Sequence, residues 1–337
     1  MHMADALISP QVGAVMWTAT VATGAYCIKK IQVDERQGPV ALAGILGAFV
    51  FAAQMINFSI PGTGSSGHIG GGLLLSILLG PHLAFLTMAS ILLIQALFFA
   101  DGGLLSYGCN VFNLAFYTCF IAYPFIYTPL AKKGRENKSA IILAAVLGLQ
   151  MGAFSVVLET LFSGKTELPF STFVLLMQPI HLAIGLVEGL ITAAIIAFVE
   201  KSAPHLLGPS LELANQGKRP RRMQKLMAVF VAATLVTGGI LSWFASTNPD
   251  GLEWSIERVT GTTELEGTSP VHKSLSAAQK TIAPWPDYSF KNRDESAANS
   301  VAAYAGTSIS GIVGAFITFV VVLLIGLALK PKSETKV

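Results

Sequence analysis

Runs of apolar residues, most of them about twenty long, recur along the chain and are separated by short polar stretches. A helix needs about 20 apolar residues to cross the hydrocarbon core of a bilayer, because each residue advances it by about 1.5 Å. One run, at 68–80, has only about a dozen residues and is short for a crossing. The pattern predicts about nine crossings, at Gln11–Ile28, Val40–Phe58, His68–Gly80, His82–Ala100, Leu105–Leu130, Ala140–Phe162, Phe170–Val199, Leu226–Ala245 and Ala305–Leu329.

Composition supports a membrane protein. The 337 residues are 53% hydrophobic and only 12% charged, whereas a soluble domain carries about 25% charged residues. The three cysteines, Cys27, Cys109 and Cys119, fall in or beside apolar runs without the spacing of metal ligands, so we expect them to be small buried hydrophobes. The sequence therefore predicts an all-α integral membrane protein, a polytopic helical bundle with about nine spans.

The basic residues predict the orientation of the bundle. If the N-terminus is placed outside, most of the 22 Lys and Arg residues fall in the inside segments, notably at Lys29-Lys30 and in the stretch 218–222. By the positive-inside rule, the N-terminus is predicted outside and the C-terminus in the cytoplasm. The small excess of basic residues is explained by a multi-pass protein of the cytoplasmic membrane, so no nucleic-acid partner is predicted.

The opening residues predict a metal site. Before the first apolar run there is no basic n-region and no cleavage signal, so we expect an exposed polar opening with a free α-amine at Met1. That amine, the backbone amide of His2 and the His2 imidazole would close chelate rings of five and six members around one ion. Three nitrogens in one plane suit Ni(II) or Cu(II) better than Mg(II) or Ca(II).

A second histidine, His68, is the candidate for the open planar position. It ends the glycine-rich stretch 61–68, which shares the outer face with Met1 in the predicted topology. The alternative is a turn histidine that only faces water. We favour a ligand set of Met1, His2 and His68, with turn capping or a supporting role for Asp101 and Asn110.

Two ionisable residues, His181 and Glu188, lie in the seventh predicted span, two turns apart on one face. We expect interhelical hydrogen bonds, with Gln95, Gln150 and Gln178 as candidate partners. A proton-coupled transporter of divalent metal that uses Glu188 is the alternative function. A membrane protease is disfavoured because no His-Glu-x-x-His-like cluster is present, and the inside loops contain no phosphate-binding loop, so neither an enzyme nor an ATPase is predicted.

The small residues Ala14, Thr18 and Ala22 form a stripe that could seat a neighbouring helix or a partner subunit.

Four stretches carry a family resemblance: residues 1–10, then Gly64-Ser-Ser-Gly-His-Ile-Gly-Gly-Gly, Leu79-Gly-Pro, and Gln95-Ala-Leu-Phe-Phe-Ala-Asp-Gly-Gly. Over residues 1–202 the chain resembles the substrate-binding M component of energy-coupling factor (ECF) transporters for nickel and cobalt. The resemblance implies that the ion is held by Met1, His2 and His68. It also implies that Ni(II) or Co(II) is the transported substrate, with no resident cofactor; the choice between the two metals stays open.

The tail carries a second resemblance. Pro249-Asp-Gly-Leu-Glu253 and its flanking apolar runs are similar to the small two-helix N component, which is often fused to the M component. The resemblance implies an M part at 1–202 with seven spans, a basic cytoplasmic connector at 203–224, and an N part at 225–337 with two spans and an extracytoplasmic loop at 247–303. It further implies two kinds of partner: a transmembrane coupling protein, the T component, and ATP-binding-cassette ATPase subunits.

Overall fold

The computed structural model describes residues 2–33, 40–131, 137–203, 221–290 and 301–329. Within these ranges the chain is a helical bundle, as the sequence predicts, with one short β-hairpin. The helices are α1 (Pro10–Val33), α2 (Val40–Gln54), α3 (Gly72–Leu79), α4 (Pro81–Phe99), α5 (Tyr107–Leu130), α6 (Lys138–Phe162), α7 (Phe170–Ser202), α8 (Arg221–Gly239), α9 (Gly251–Thr260), α10 (Pro270–Ile282) and α11 (Val301–Ala328).

Five of the described helices are long and apolar enough to cross a membrane: α4, α5, α6, α7 and the part of α11 from Tyr304 onward. The third predicted crossing differs most from expectation. Helix α3 has 8 residues, or about 12 Å at 1.5 Å per residue, well short of a core about 30 Å thick. It ends at Leu79; Gly80 follows with φ of 81°, and α4 starts at Pro81. The count of nine crossings stays a prediction.

Helix α5 is irregular in a way that the apolar pattern does not show. Its central part, Phe112–Tyr127, has π-helical hydrogen bonding and contains Pro124. A π-helical segment is wider than an α-helix and is often found at functional sites. Here it packs between α3, α4 and α6 and forms part of the wall of the bundle.

A β-hairpin connects α2 to α3. Strands β1 (Phe58–Ile60) and β2 (Ser65–Gly67) pair antiparallel, with Phe58 opposite Gly67. The hairpin and the ends of α2 and α4 share one end of the bundle, called the upper end below. His68 follows β2 directly, so the hairpin determines where that side chain lies.

The two long tail helices pack beside α2. Phe230 of α8 contacts Phe49 of α2 edge-on, with ring centroids 5.3 Å apart. Helix α11 lies along α2 so closely that a Cβ at Gly44 would come within 2.9 Å of the Phe319 ring. Small residues allow this approach in lipid, where helices associate by close packing. The tail is therefore part of the same bundle.

The polar segment between α8 and α11 is structured as well. Helices α9 and α10 and a short 3₁₀ turn at Pro286–Tyr288 lie against the upper end of the bundle. The side chain of Gln279 donates to the carbonyls of Ala96 and Gly102, at 2.9 and 2.7 Å, and the amide of Trp285 donates to the Phe98 carbonyl. The sequence pattern predicts only a polar loop here.

Candidate metal site at the upper end of the bundle

The opening segment is buried, not exposed as the sequence suggested. Met3 is fully buried, and Asp5, Leu7 and Ile8 are buried behind it. Asn110 binds both main-chain groups of Met3: its Oδ1 accepts from the amide at 2.7 Å and its Nδ2 donates to the carbonyl at 3.1 Å. These contacts fix the backbone next to His2 against the start of α5. Met1 lies outside the described residues.

Further bonds hold the same segment from the turn after α4. The amide of Gly103 and the hydroxyl of Ser106 both donate to the Met3 carbonyl, and the amide of Ser106 donates to Asp5 Oδ1 at 3.0 Å. The carbonyl of Met3 therefore accepts from three residues. These hydrogen bonds hold a segment that would otherwise be free to fray.

The structure brings His2 and His68 together. Their imidazole rings stack with centroids 5.1 Å apart and an interplanar angle of 15°. Since metal–imidazole bonds are about 2 Å long, two rings at this separation are within reach of one ion. Within the described residues, no three His, Cys, Asp or Glu side chains form a cluster with metal-binding geometry. The two imidazoles are therefore the side-chain donors of the site that the sequence predicts.

Both rings favour the neutral form. Burial lowers the pKa of His68 to about 4, and the neighbouring His2 ring adds to this effect. Burial also lowers the pKa of His2, although Asp101 acts in the opposite direction. Neutral imidazole is the form that binds metals. The Nε2 atom of His2 is buried and has no hydrogen-bond partner.

Asp101 contacts the first of these rings. Its Oδ1 lies 3.3 Å from His2 Nδ1, and its Oδ2 accepts from the hydroxyl of Tyr288 at 2.6 Å. This contact fixes the orientation of the His2 ring and places a negative charge beside Nδ1. Of the two predicted supporting residues, Asp101 thus contacts the ring of His2, and Asn110 holds the adjacent backbone.

Glu188 holds the loop that carries His68. Its two carboxylate oxygens accept from the amides of Gly70 and Gly71, at 2.8 and 3.0 Å. Gln54 donates to the carbonyl of Gly70 at 2.7 Å and accepts from Gln95 at 2.8 Å. The loop after His68 is therefore bonded to α7 and α2, and Gln95 of α4 supports it through Gln54. Gly71 has φ of 81°, which favours glycine.

The expected partners of the intramembrane pair were wrong. Glu188 binds backbone amides instead of glutamines, and His181 contacts the Met177 carbonyl of its own helix at 2.7 Å. Gln150 and Gln178 bond to each other's main-chain carbonyls. The Nε2 atom of His181 is buried without a hydrogen-bond partner. This residue lines a cavity of about 10 Å³, roughly the volume of one water-sized probe, together with His68 and Asp250.

The tail covers the hairpin next to His68. The amide of Ser66 donates to the Pro249 carbonyl and its hydroxyl donates to the Asn248 carbonyl, both at 2.8 Å. The indole of Trp254 donates to the Thr63 carbonyl at 3.0 Å. Gly251 lies against α7, where an added Cβ would come within 2.6 Å of Ile180. The Pro-Asp-Gly-Leu-Glu motif thus contacts both the hairpin and α7.

The motif also has a local role. The Asp250 carboxylate accepts from the amides of Leu252 and Glu253, and the Glu253 carboxylate accepts from the Asp250 amide at 3.0 Å. This reciprocal pair is a capping box, which starts α9 at Gly251. From the sequence alone, the motif indicated only the family resemblance. Its Asp-x-x-Glu spacing was the available signal for a helix start.

Comparisons with known proteins agree with this architecture. Residues 2–206 match the family model CbiM, described as the cobalt uptake substrate-specific transmembrane region, and residues 224–331 match the PDGLE domain. A solved structure described as a transition metal transporter superposes with a TM-score of 0.54 at 28% identity. That superposition covers 63% of this chain and 99% of the solved one.

Relatives along the whole chain are transport proteins. A putative fused nickel transport protein, NikMN, from Archaeoglobus fulgidus is 30% identical over 99% of this chain and 100% of its own length. A fused nickel transport protein from Rhodobacter capsulatus is 32% identical over 62% of this chain and 64% of its own. The chain therefore belongs to the CbiM family of cobalt uptake transmembrane proteins, as a nickel or cobalt transport component of the fused type that carries a PDGLE domain.

Proposed function

We propose that the chain is the substrate-capture component of an ATP-driven importer and that it binds Ni(II) or Co(II) at the upper end of the bundle. The stacked pair of His2 and His68 carries this proposal, because it brings together two neutral imidazoles that are 66 positions apart in the sequence. Its relatives include a putative nickel transport protein and a cobalt transport protein.

The proposed ligands are the α-amine of Met1, the amide and imidazole of His2, and the imidazole of His68. A six-membered chelate ring through His2 uses its Nδ1, the atom that now lies 3.3 Å from Asp101. Metal binding therefore replaces this contact with a metal bond. Nitrogen ligands with few exchangeable waters favour Ni(II) and Co(II) over Mg(II) and Ca(II), which prefer oxygen.

Residues 1–202 form the proposed metal-binding part, 203–224 the cytoplasmic connector, and 225–337 the N part. The proposed role of the N part is to close the site from outside. Two observations support this role: Ser66 bonds to the segment 248–249, and Gly251 packs against α7 beside the cavity at His68. Most of the connector, 204–220, lies outside the described residues.

The proposed partners are a transmembrane coupling protein and ATP-binding-cassette ATPases. The stripe on α1 supports a docking role, because Ala14, Thr18 and Ala22 are all exposed on the outside of the bundle. The proposed orientation places the N-terminus outside and the C-terminus in the cytoplasm. This is supported by the clustering of Lys and Arg at the C-terminal end of α1 and in the stretch 218–222.

The proton-coupled alternative assigned Glu188 to proton transfer. Both oxygens of this side chain are engaged by main-chain amides of the His68 loop. This arrangement favours a positioning role for Glu188, so we retain the ATP-driven function.

Nickel binding by purified full-length chain with a native N-terminus tests the proposal. Adding one residue before Met1, or replacing His68 with alanine, should abolish high-affinity binding while the protein still folds. A residue added after Val337 and His82→Ala serve as matched controls and should bind normally. Unchanged binding by the N-terminally extended chain would rule out the amine ligand.

A further inference from the structure

A second, much larger cavity adjoins the candidate metal site. Its volume is about 770 Å³, and its walls come from both parts of the chain. Residues of the opening segment and of the turn after α4 form one side, while α9, α10 and the segments around them form the other. His2 is among the residues that line it, so the cavity leads to the stacked histidine pair. We call this cavity the vestibule.

The vestibule is strongly acidic. Two carboxylates come from the metal-binding part, Asp5 and Asp101, and five come from the tail: Asp250, Glu253, Glu264, Glu266 and Asp287. Lys273 and Lys280 are the basic residues among the described residues that line it. Carboxylates therefore clearly outnumber ammonium groups in a concave space. Such a space focuses the electric field and raises the local concentration of cations.

Burial and neighbouring carboxylates act together on the pKa values of two tail residues. Burial raises the pKa of Glu253 to about 7, and the charge of Asp250 contributes in the same direction. Burial raises the pKa of Asp287, with further contributions from Asp101 and Glu264. The charged forms of carboxylates that repel one another in this way are stabilised when a cation enters between them.

An independent observation points to the same ligand class. Three residues that line the vestibule each bury a polar atom that has no hydrogen-bond partner: His2 Nε2, Asp5 Oδ2 and His272 Nδ1. The side chain of His2 is 8% exposed, and Asp5 and His272 are 8% and 6% exposed. Buried polar atoms are normally satisfied, so these three mark places where a polar ligand belongs. Imidazole nitrogen and carboxylate oxygen are both metal-ligand types.

We propose that the vestibule is an entry site that collects hydrated divalent cations and delivers them to His2. The inference rests on the proposed metal-binding function and adds a role for the tail, which supplies most of the acidic groups. Carboxylates hold a hydrated ion weakly enough for it to leave, whereas the nitrogen ligands bind it after dehydration. The vestibule therefore increases the rate of capture and leaves release from the nitrogen site unchanged.

Stopped-flow kinetics of nickel chloride binding to full-length chain with a native N-terminus tests this role. The test variant is E264Q/E266Q, which removes two exposed vestibule charges far along the chain from the proposed ligands. The matched control is E167Q/E257Q, which removes two exposed carboxylates that do not line the vestibule. Rates are measured at about 20 mM and about 500 mM salt, since screening is weak at the first and strong at the second.

We expect the association rate of the test variant to fall about tenfold at low salt and less than about twofold at high salt. Its dissociation rate and both rates of the control variant should match the unmodified chain. Equal association rates for the test and control variants at low salt would overturn the vestibule role alone. A failure of the unmodified chain to bind nickel would overturn the proposed function as well, so the two failures are distinguishable.

Discussion

Tyr288 donates its hydroxyl to Asp101 Oδ2 at 2.6 Å, across 187 positions of sequence. The ring of Tyr288 also stacks on Phe99, with centroids 4.7 Å apart and 14° between the planes. The other oxygen of Asp101 lies 3.3 Å from His2 Nδ1. One carboxylate therefore connects the tail to the ring of a proposed metal ligand.

Replacing Asp101 with asparagine should lower nickel affinity about 10- to 100-fold, because it removes a negative charge beside the His2 nitrogen that binds the ion. Tyr288→Phe removes one hydrogen bond, a loss of about 1 kcal/mol, and should weaken binding about fivefold. Calorimetric titration measures both effects. Tyr26→Phe is the control, since Tyr26 is 50% exposed on α1, outside the site. An Asp101→Asn variant with unchanged affinity would contradict the supporting role.

Glu188 should act on binding through the His68 loop. Glu188→Ala leaves the amides of Gly70 and Gly71 buried and unpaired, at a cost of about 1–3 kcal/mol each, and should weaken nickel binding strongly. Glu188→Gln keeps one acceptor and should have a smaller effect. Glu167→Gln, at an exposed position, is the control. Normal nickel binding by Glu188→Gln with complete loss of uptake would instead favour the proton-coupled transporter.

Gly251→Ala should loosen the contact between the tail and α7. The added Cβ would lie 2.6 Å from Ile180 Cγ2 and 3.2 Å from His181 Cε1, so the start of α9 must shift, at a cost of about 1–3 kcal/mol. Hydrogen exchange in residues 249–260 should increase, and nickel should dissociate faster. Gly239→Ala is the matched control, because a Cβ there has ordinary contacts beginning at 3.6 Å. Equal exchange in the two variants would show that this contact does not hold the tail.

The pH dependence of nickel binding should reflect the loss of protons from the α-amine and the His2 amide. Because the pKa of His68 is lowered to about 4, its ring stays unprotonated from pH 7 down to about 5, and burial lowers the pKa of His2 in the same direction. The proposed amine has an ordinary pKa of about 7.7–8.0, so it is protonated in this window and must lose its proton to the metal. Affinity should therefore fall as pH drops from about 7 to about 5.

Calorimetry in buffers of different ionisation enthalpy counts the protons released. We expect about two per nickel ion at pH 7, one from the amine and one from the His2 amide, and no added proton from His68 at pH 5. Histidines of ordinary pKa, about 6.5, would add their own protons below about pH 6. A count that rises toward four near pH 5.5 would therefore contradict the lowered pKa values of His2 and His68.

Coupling to an ATPase should depend on α1. Ala14→Trp or Ala22→Trp should leave nickel binding intact and abolish ATP-driven uptake, because bulk on an exposed small-residue stripe prevents a helix from packing there. Leu175→Trp, at a position of α7 that is 72% exposed, is the control and should preserve both activities. Concentrative uptake by the reconstituted chain alone, with a proton gradient and no ATP, would reject the proposed energy source.

The apolar pattern was sufficient to locate most of the long helices, because burial in lipid imposes a minimum length on every crossing. It failed at α3, where a half-length helix lies between a hairpin and Gly80. Within the described residues, α3 is enclosed by protein and packs on α4 and α5. An apolar run surrounded by other helices carries no length requirement of its own, so its true extent cannot be read from hydropathy.

The proposed histidine ligands and their supporting residues were available from the sequence because each stands in a short local pattern. The roles of Gln54, Glu188 and Tyr288 could not be predicted from the sequence. Glu188 contacts Gly70 across 118 positions, and Tyr288 contacts Asp101 across 187. These partners are set by how helices α2, α4 and α7 pack and by where the tail docks, and a single sequence records neither.

The hydrogen bonds to Met3 determine when the site can assemble during synthesis. Residues 2–8 are translated before their partners Asn110 and Ser106, which lie more than 100 positions later. The contacts from Tyr288 and the segment 248–251 require nearly the whole chain. Non-local contacts of this kind form late, because the intervening chain must be ordered first. Residues 2–8 therefore reach their native positions late, and the site is assembled only after the chain has been made as far as Tyr288.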